Sequence, residues 1–298
     1  MEYIKSLLIM GCINIVAVCG MVLLTGYTGI FSMGHAGFMA IGGYAATILY
    51  MYLGVPYIFA VLLGGIAAGF ISIIVGYPTL KGKLRGDYFA IATLGFGEIV
   101  KLIVANTKPI LGGAIGIPNI PKKTTLGITL IFTVLGVIFI RNYIKSHYGK
   151  NCIAVQQQEV AAEMIGINVL KVKLTSLIIS AIYAGVAGAM FVFLATYISP
   201  ATFTQFKSTD LTTAVVMGGV QSISGPLIAA FILVLIPEFL RFMVEWRLVI
   251  YGLILVVVML FKPEGLLGYR EISFRGLKKG LIRLGRDDGD RRKSAFRG

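Results

Sequence analysis

Charge is scarce in this chain. Asp, Glu, Lys and Arg make up 13% of its 298 residues, and none occurs between Ser6 and Leu80. A soluble domain averages about 25% charged residues. With 57% apolar residues and a mean hydropathy of +0.88, this deficit excludes a disordered chain and a solvent-exposed globular enzyme. It indicates an integral membrane protein. Three cysteines make no disulfide framework. His35 and His147, the only two histidines, stand far apart and leave no His-based metal site or triad. H-E-x-x-H, C-x-x-C and G-x-S-x-G are all missing. The Gly-Lys pairs at 82–83 and 149–150 are followed by Leu84 and Asn151 and lack the upstream Gly of a P-loop, so the chain has no ATP site of that kind. Ser32 and His35 are a nucleophile–base pair close in sequence, but the glycines around them break the helix that would align them. No enzymatic activity, bound cofactor or metal is expected. The net charge is +14, but it sits in short loops and the tail, which does not point to nucleic acid.

What is present is a series of apolar runs. The uncharged stretch 6–80 accommodates roughly three spans of about 20 residues. Gly26, Gly29, Gly34 and Gly37 interrupt it once, and Gly54-Val55-Pro56 interrupts it again. Spans are expected near 6–25, 36–53 and 57–77, the first a retained helix rather than a cleaved signal peptide. Further spans are expected near 88–105, 125–140, 174–198 and 247–261. Residues 208–240 carry two apolar runs parted by Gln221, Ser222, Ser224, Gly225 and Pro226, which suits two spans or one span and a re-entrant segment. Runs that do not alternate exclude a β-barrel, and helices remain. The fold class is an all-α polytopic membrane protein of roughly 8 (7–9) transmembrane helices. Basic residues cluster at Lys81–Arg85, Arg141–Lys173 and in the tail from Lys262, which has 11 basic and 5 acidic residues. The positive-inside rule places all three in the cytoplasm and residues 106–124 outside. Parity then requires 208–240 to add two crossings or none. A permease domain is expected over 1–268, and a basic, disordered cytoplasmic tail over 269–298, drawn to anionic membrane lipid.

The cytoplasmic loop 141–173 is too long for a turn. Residues 155–165 have helical composition, Gly166 follows as a C-terminal cap and Asn168 lies just beyond. Glu159 and Glu163 share a face, and Ala161, Ala162 and Ile165 offer a small-residue face. Such a helix suits docking into a groove on another protein or lying on the membrane surface.

EVAAEMIGIN (159–168) resembles the coupling motif of ABC importer permeases, an Ala-Ala-Glu followed by Gly. GYTGIFSMGHAGFMAIGGY (26–44), LRGDYFAIATLGFGEIVKLI (84–103), LGGAIGIPNIP (111–121), VVMGGVQSISGPLIAA (215–230) and FKPEGLLG (261–268) resemble the branched-chain amino acid permeases. The Gly-Asp-Tyr-Phe-Ala-Ile run and the Gly-Gly-x-x-Gly-Ile loop favour the LivM-type over the LivH-type subunit. The resemblance implies a heteromeric importer in a prokaryotic plasma membrane. Its parts would be a second, LivH-type permease subunit, two cytoplasmic P-loop ATPase subunits that use the ATP, and an extracytoplasmic amino acid binding protein. It implies ATPase coupling at Glu159, Ala161, Ala162, Glu163 and Gly166.

Candidates for the translocation path come from breaks and charges within the spans. Gly34 and His35 lie at the first helix break, where backbone at membrane depth must line a cavity or be buried in protein; helix packing and a buried neutral imidazole are the competing readings. Glu98 and Lys101 sit inside a span at a spacing that lets them pair. Gly218 and Gly219 belong to the break at 215–230. Asp87 is expected at the start of its helix, favoured by the dipole. The expected substrate is a branched-chain or other hydrophobic neutral amino acid. The alternative is a stand-alone channel or ion-coupled carrier for a small solute such as urea or a short amide.

Overall fold

In the computed structural model, residues 2–82 and 86–239 are described, together with 252–253, 256, 260–262 and 265. The apolar runs fold into helices because backbone groups in lipid must be satisfied within the segment itself. Helix α1 (Glu2–Met21) continues as a π-turn over Val22–Tyr27. An irregular stretch, 28–34, leads into α2 (His35–Met51). Helices α3 (Tyr57–Lys81) and α4 (Asp87–Asn106) follow. After a short α5 (Lys108–Leu111) come α6 (Leu126–Lys145), α7 (His147–Gln157) and α8 (Glu159–Met164). The chain goes on with α9 (Val169–Ala195), α10 (Gln205–Gly218) and α11 (Ser224–Phe239). Among the described residues the only β pairing is one antiparallel bridge, Ile117–Ile198.

Among the described residues, five helices are long and apolar enough to cross a membrane: Glu2–Tyr27, Tyr57–Lys81, Asp87–Asn106, Leu126–Lys145 and Val169–Ala195. Helix α2 has 17 residues and α11 has 16, because the first begins at a break and the second follows one. Gly37 lies inside α2, so the first interruption ends at Gly34 and is shorter than expected. Helices α6 and α9 outrun the apolar runs at one end, taking in Arg141–Lys145 and Val169–Lys173, because a helix need not stop where its hydrophobic stretch does. The stretch 208–240 resolves into two helices parted by residues 219–223. The span expected near 247–261 lies mostly outside the described residues, and the tail 269–298 wholly so.

Helix α9 is the centre. It packs on α1, α2 and α3, and Ala181, Ala184, Ala187, Ala189 and Met190 are fully buried. The approach runs through glycine. A Cβ on Gly188 would stand 2.0 Å from the Met39 carbonyl oxygen of α2, and one on Gly42 would stand 2.3 Å from Gly185. Helix α3 closes on the same pair, with Gly64 against the Gly42 carbonyl. Lipid tails are as apolar as leucine, so helices in a bilayer gain by backbone proximity and dispersion rather than by the hydrophobic effect.

Candidate functional site

The loop expected in the cytoplasm is built as two helices, not one. The expected helix over 155–165 breaks at Gln158, which is extended (φ −156°, ψ 104°). The break lets Ala162 turn inward against Val155 and Val169, while Ala161 stays exposed. The small-residue face expected from Ala161, Ala162 and Ile165 is therefore split. What α8 presents outward is larger: Val160, Met164 (84% exposed) and Ile165 (74% exposed). Glu159 forms an ion pair with Lys173 of α9 that fastens the start of α8, and Glu163 is exposed.

Gly166 ends the helix in the left-handed conformation, φ +86°. Its N–H donates to the Glu163 carbonyl at 3.0 Å, and the Ile167 N–H to the Ala162 carbonyl at 3.0 Å. This pair of bonds is a Schellman cap. Two residues on, the Asn168 side chain accepts from the Lys171 N–H at 3.0 Å and starts α9. A groove of about 560 Å³ opens beside this corner, lined by Tyr143, His147, Tyr148, Gly166 and Lys171.

The same segment is tied to the first helix break. Gln156 of α7 donates from Nε2 to the Gly26 carbonyl at 2.7 Å, and Gly29 packs against its side chain. Cys152 Sγ lies 3.4 Å from Ser176 Oγ, which is hydrogen-bonded to Thr28 Oγ1 at 2.9 Å. Within the break, Thr28 Oγ1 also reaches the Leu23 carbonyl, Thr25 Oγ1 reaches the Ile30 carbonyl, and the Ile30 N–H reaches the Leu24 carbonyl. Interrupted backbone is thus satisfied by its neighbours, as burial in lipid-excluded protein demands.

Gly34 and His35 open α2 in full burial. A Cβ on Gly34 would lie 2.8 Å from the Thr93 carbonyl oxygen of α4. His35 Nε2 is 2.7 Å from Ser180 Oγ of α9, and His35 Nδ1 has no hydrogen-bond partner. The Ala36 N–H donates to Ser208 Oγ of α10 at 2.7 Å. Gly218 and Gly219 are also buried, with Gly218 pressed on Pro226 and Gly219 at φ +110°. Glu98 and Lys101 do pair, at 3.2 Å, on a half-exposed side of α4. The structure brings Gly34 and His35 together with Thr93, Ser180 and Ser208. It keeps Gly218 and Gly219 at a separate turn, and it sets Glu98 and Lys101 on a surface. Ser180, Ser208, Gln156 and Ser176 escape sequence reasoning. Their one signal is a lone polar residue in or beside an apolar run. No cluster of metal-ligating side chains occurs among the described residues.

Residues 3–259 match the family described as branched-chain amino acid transport system, permease component. The chain is 31% identical over 292 residues to the high-affinity branched-chain amino acid transport system permease protein LivM of Salmonella typhimurium, covering 87% of this chain and 68% of that protein. It is 31% identical over 289 residues to the LivM protein of Escherichia coli, covering 86% and 68%. A probable branched-chain amino acid transport permease protein LivH of Methanocaldococcus jannaschii is 25% identical over 280 residues, covering 85% and 86%. No solved structure matches the chain. Several apolar helices of spanning length and the extent of the family match make this a multi-pass membrane protein. The chain belongs to the family of permease components of branched-chain amino acid transport systems.

Proposed function

We propose that this chain is a LivM-type permease subunit of an ABC importer for branched-chain or similar hydrophobic amino acids, working in a prokaryotic plasma membrane. It carries no ATP site of its own. A LivH-type permease would complete the path, two P-loop ATPases would supply the energy, and an extracytoplasmic binding protein would deliver the solute. Similarity to both LivM and LivH proteins supports the paired permease.

The observation that carries the mechanism is α8. It is six residues long, capped at Gly166 and held at its start by Lys173. It offers Val160, Met164 and Ile165 to something outside this chain. An apolar face on a short helix, with Lys150 in the helix before it and Lys171 and Lys173 in the helix after it, fits a groove on an ATPase. Motion of α8 passes to α7 and, through Gln156 and Ser176, to the broken turn at 22–34. Helix α9 shares that linkage through Ser176 and Lys173. Nucleotide-driven movement of the ATPases thus biases two arrangements of the spans.

The crossings follow from the same reading. The helices α1, α2, α3, α4, α6, α9, α10 and α11 make eight crossings when α2 and α10 each count with the irregular stretch before them. The ninth, expected near 247–261, lies mostly outside the described residues. The even number of crossings needed within 208–240 is then met by α10 and α11.

The test is reconstitution with the partner permease, the ATPases and the binding protein in liposomes. Uptake of leucine, isoleucine or valine should require ATP. Met164→Asp should leave the chain folded and inserted but strip the ATPases from it. ATP-independent uptake by the chain alone would instead support a stand-alone carrier.

A further inference from the structure

Aromatic rings run in a line along one edge of the bundle. The hydroxyl of Tyr183, near the middle of α9, donates to the Gly136 carbonyl of α6 at 2.9 Å. The Tyr183 ring stands 6.4 Å from Phe139, Phe139 stands 6.4 Å from Tyr143, and Tyr143 stands 6.3 Å from Tyr148 of α7. Phe139–Tyr143 and Tyr143–Tyr148 are stacked pairs, with ring planes 20° and 16° apart. Phe139 is exposed and ends a stripe of exposed apolar residues on α6 that includes Ile131, Leu135 and Ile138. Their spacing puts them on one face of the helix, and that face suits acyl chains.

The line of rings leads into the groove of about 560 Å³ beside Gly166. Small-ligand sites have about 300–1,000 Å³. Tyr143 and Tyr148 form an aromatic wall, and His147, Asn151, Lys171 and Thr175 bring polar groups. No carboxylate lines the groove among the described residues. Lys171 is exposed and makes no ion pair among the described residues, whereas Lys173 is held by Glu159. Residues 141–175 contain five Lys or Arg and two Glu, so the surroundings of the groove are positive.

Depth follows from the helices. With 20 residues, α6 is about 30 Å long, the thickness of the hydrocarbon core. Tyr143 is third from its end, and Lys171 is third from the start of α9. Both stand where hydrocarbon gives way to head groups, the level that favours tyrosine and basic side chains. A cation therefore lies at the mouth of the groove, and an apolar stripe leads from it into the bilayer.

We propose that this groove binds one anionic phospholipid. Lys171 takes the phosphate charge, Asn151 and His147 hydrogen-bond the head group, and the Tyr143 and Tyr148 rings pack on the glycerol end of the chains. One acyl chain lies along Phe139, Leu135 and Ile131. The lipid touches α6, α7 and α9 next to the Gly166 corner and braces the three helices there. A soluble phosphate gains nothing from the aromatic line, and a zwitterionic lipid brings an ammonium toward Lys171, so the groove selects against both. The inference needs only that the chain is a membrane protein and does not rest on the importer reading.

The test uses the full chain purified in mild detergent and read by native mass spectrometry. With phosphatidylglycerol and phosphatidylcholine at equal concentration, one phosphatidylglycerol should be retained with at least five-fold preference. Lys171→Met should lower that preference about five-fold, the effect of one basic residue at a membrane surface. Lys108→Met is the control: Lys108 is exposed in the connection before α6, at the opposite end of that helix, and its loss should change nothing. Glycerol 3-phosphate in large excess should not displace the lipid. If Lys171→Met does not purify, Asn151→Leu replaces it, with an expected fall of about three-fold. Equal retention of the two lipids overturns the proposal, and so does displacement by glycerol 3-phosphate, which would make the groove a soluble-phosphate site. A preference that survives the substitution in the groove belongs to the basic tail and overturns it as well.

Discussion

Gly188→Ala adds one methyl group where two helix backbones meet. The new Cβ would stand 2.0 Å from the Met39 carbonyl oxygen, with the Met39 carbonyl carbon at 2.6 Å. A Cβ contact under 3.0 Å is essentially never tolerated, so α2 and α9 must part by about 1 Å. No side chain can rotate away, because the obstacle is backbone. Overpacking a closed core costs about 1–3 kcal/mol, and a backbone obstacle falls at the upper end. Against it, Ala in a helix gains about 0.5–1 kcal/mol over Gly. The net loss is about 2 kcal/mol. At roughly 2–4 °C per kcal/mol, the unfolding midpoint should fall by about 4–8 °C. Heating the detergent-solubilised protein with a thiol-reactive dye reads this directly, since Cys19 and Cys152 are buried until the bundle opens. Gly95→Ala is the control. It lies in α4 with open space around it and should raise the midpoint by about 1–4 °C. An unchanged or higher midpoint for Gly188→Ala would refute the argument that α2 and α9 are held by glycine contact.

Other substitutions probe the proposed coupling corner and the first break. Gly166→Ala meets no neighbour within 4 Å, so its cost is the left-handed backbone alone, about 1–2 kcal/mol; Gly166→Asn should be milder. ATP-driven uptake should fall in that order at equal membrane abundance, and equal uptake by both would remove the cap from the coupling role. Ser180→Ala takes the partner from the buried His35 Nε2 and should lower stability by about 1–3 kcal/mol, read in the same thermal assay; no change would mean that the imidazole finds another partner. Gln156→Leu breaks the bond to the Gly26 carbonyl and should slow uptake while ATPases still bind, which a pull-down and an uptake assay separate; full uptake would show that motion reaches the break by another route.

Much of the architecture is legible from run length and interruption. Charges are absent from residues 6–80, and glycine or Gly-Pro breaks mark the helix ends there, because a spanning helix needs about 20 apolar residues and glycine tolerates the turn. Gly54 takes φ +64° at the second interruption, and Asp87 opens α4 as its dipole favours. Gly166 was legible as a cap because left-handed backbone after a helix favours glycine. The break at Gln158 was not, since nothing in VQQQEVAAEMI marks a stop. It arises because Ala162 must reach Val155 and Val169 across the loop.

Sequence by itself determined that this chain is a bundle of membrane helices, where most of them lie and which family it belongs to, because hydropathy, helix length and motif order are local properties. Only the tertiary structure decided which polar groups are sealed and which are open. His35 is enclosed because α9 places Ser180 against it, and Gly188 matters because α2 passes within touching distance. Gln205, Thr209 and Asp210 read as an ordinary polar patch in the chain. They come to stand at mid-height of the bundle because Asn14 and Ala36, distant in sequence, bond to Lys207 and Ser208 in the first turns of α10. Burial is a property of neighbours, and neighbours far apart along the chain are chosen by packing.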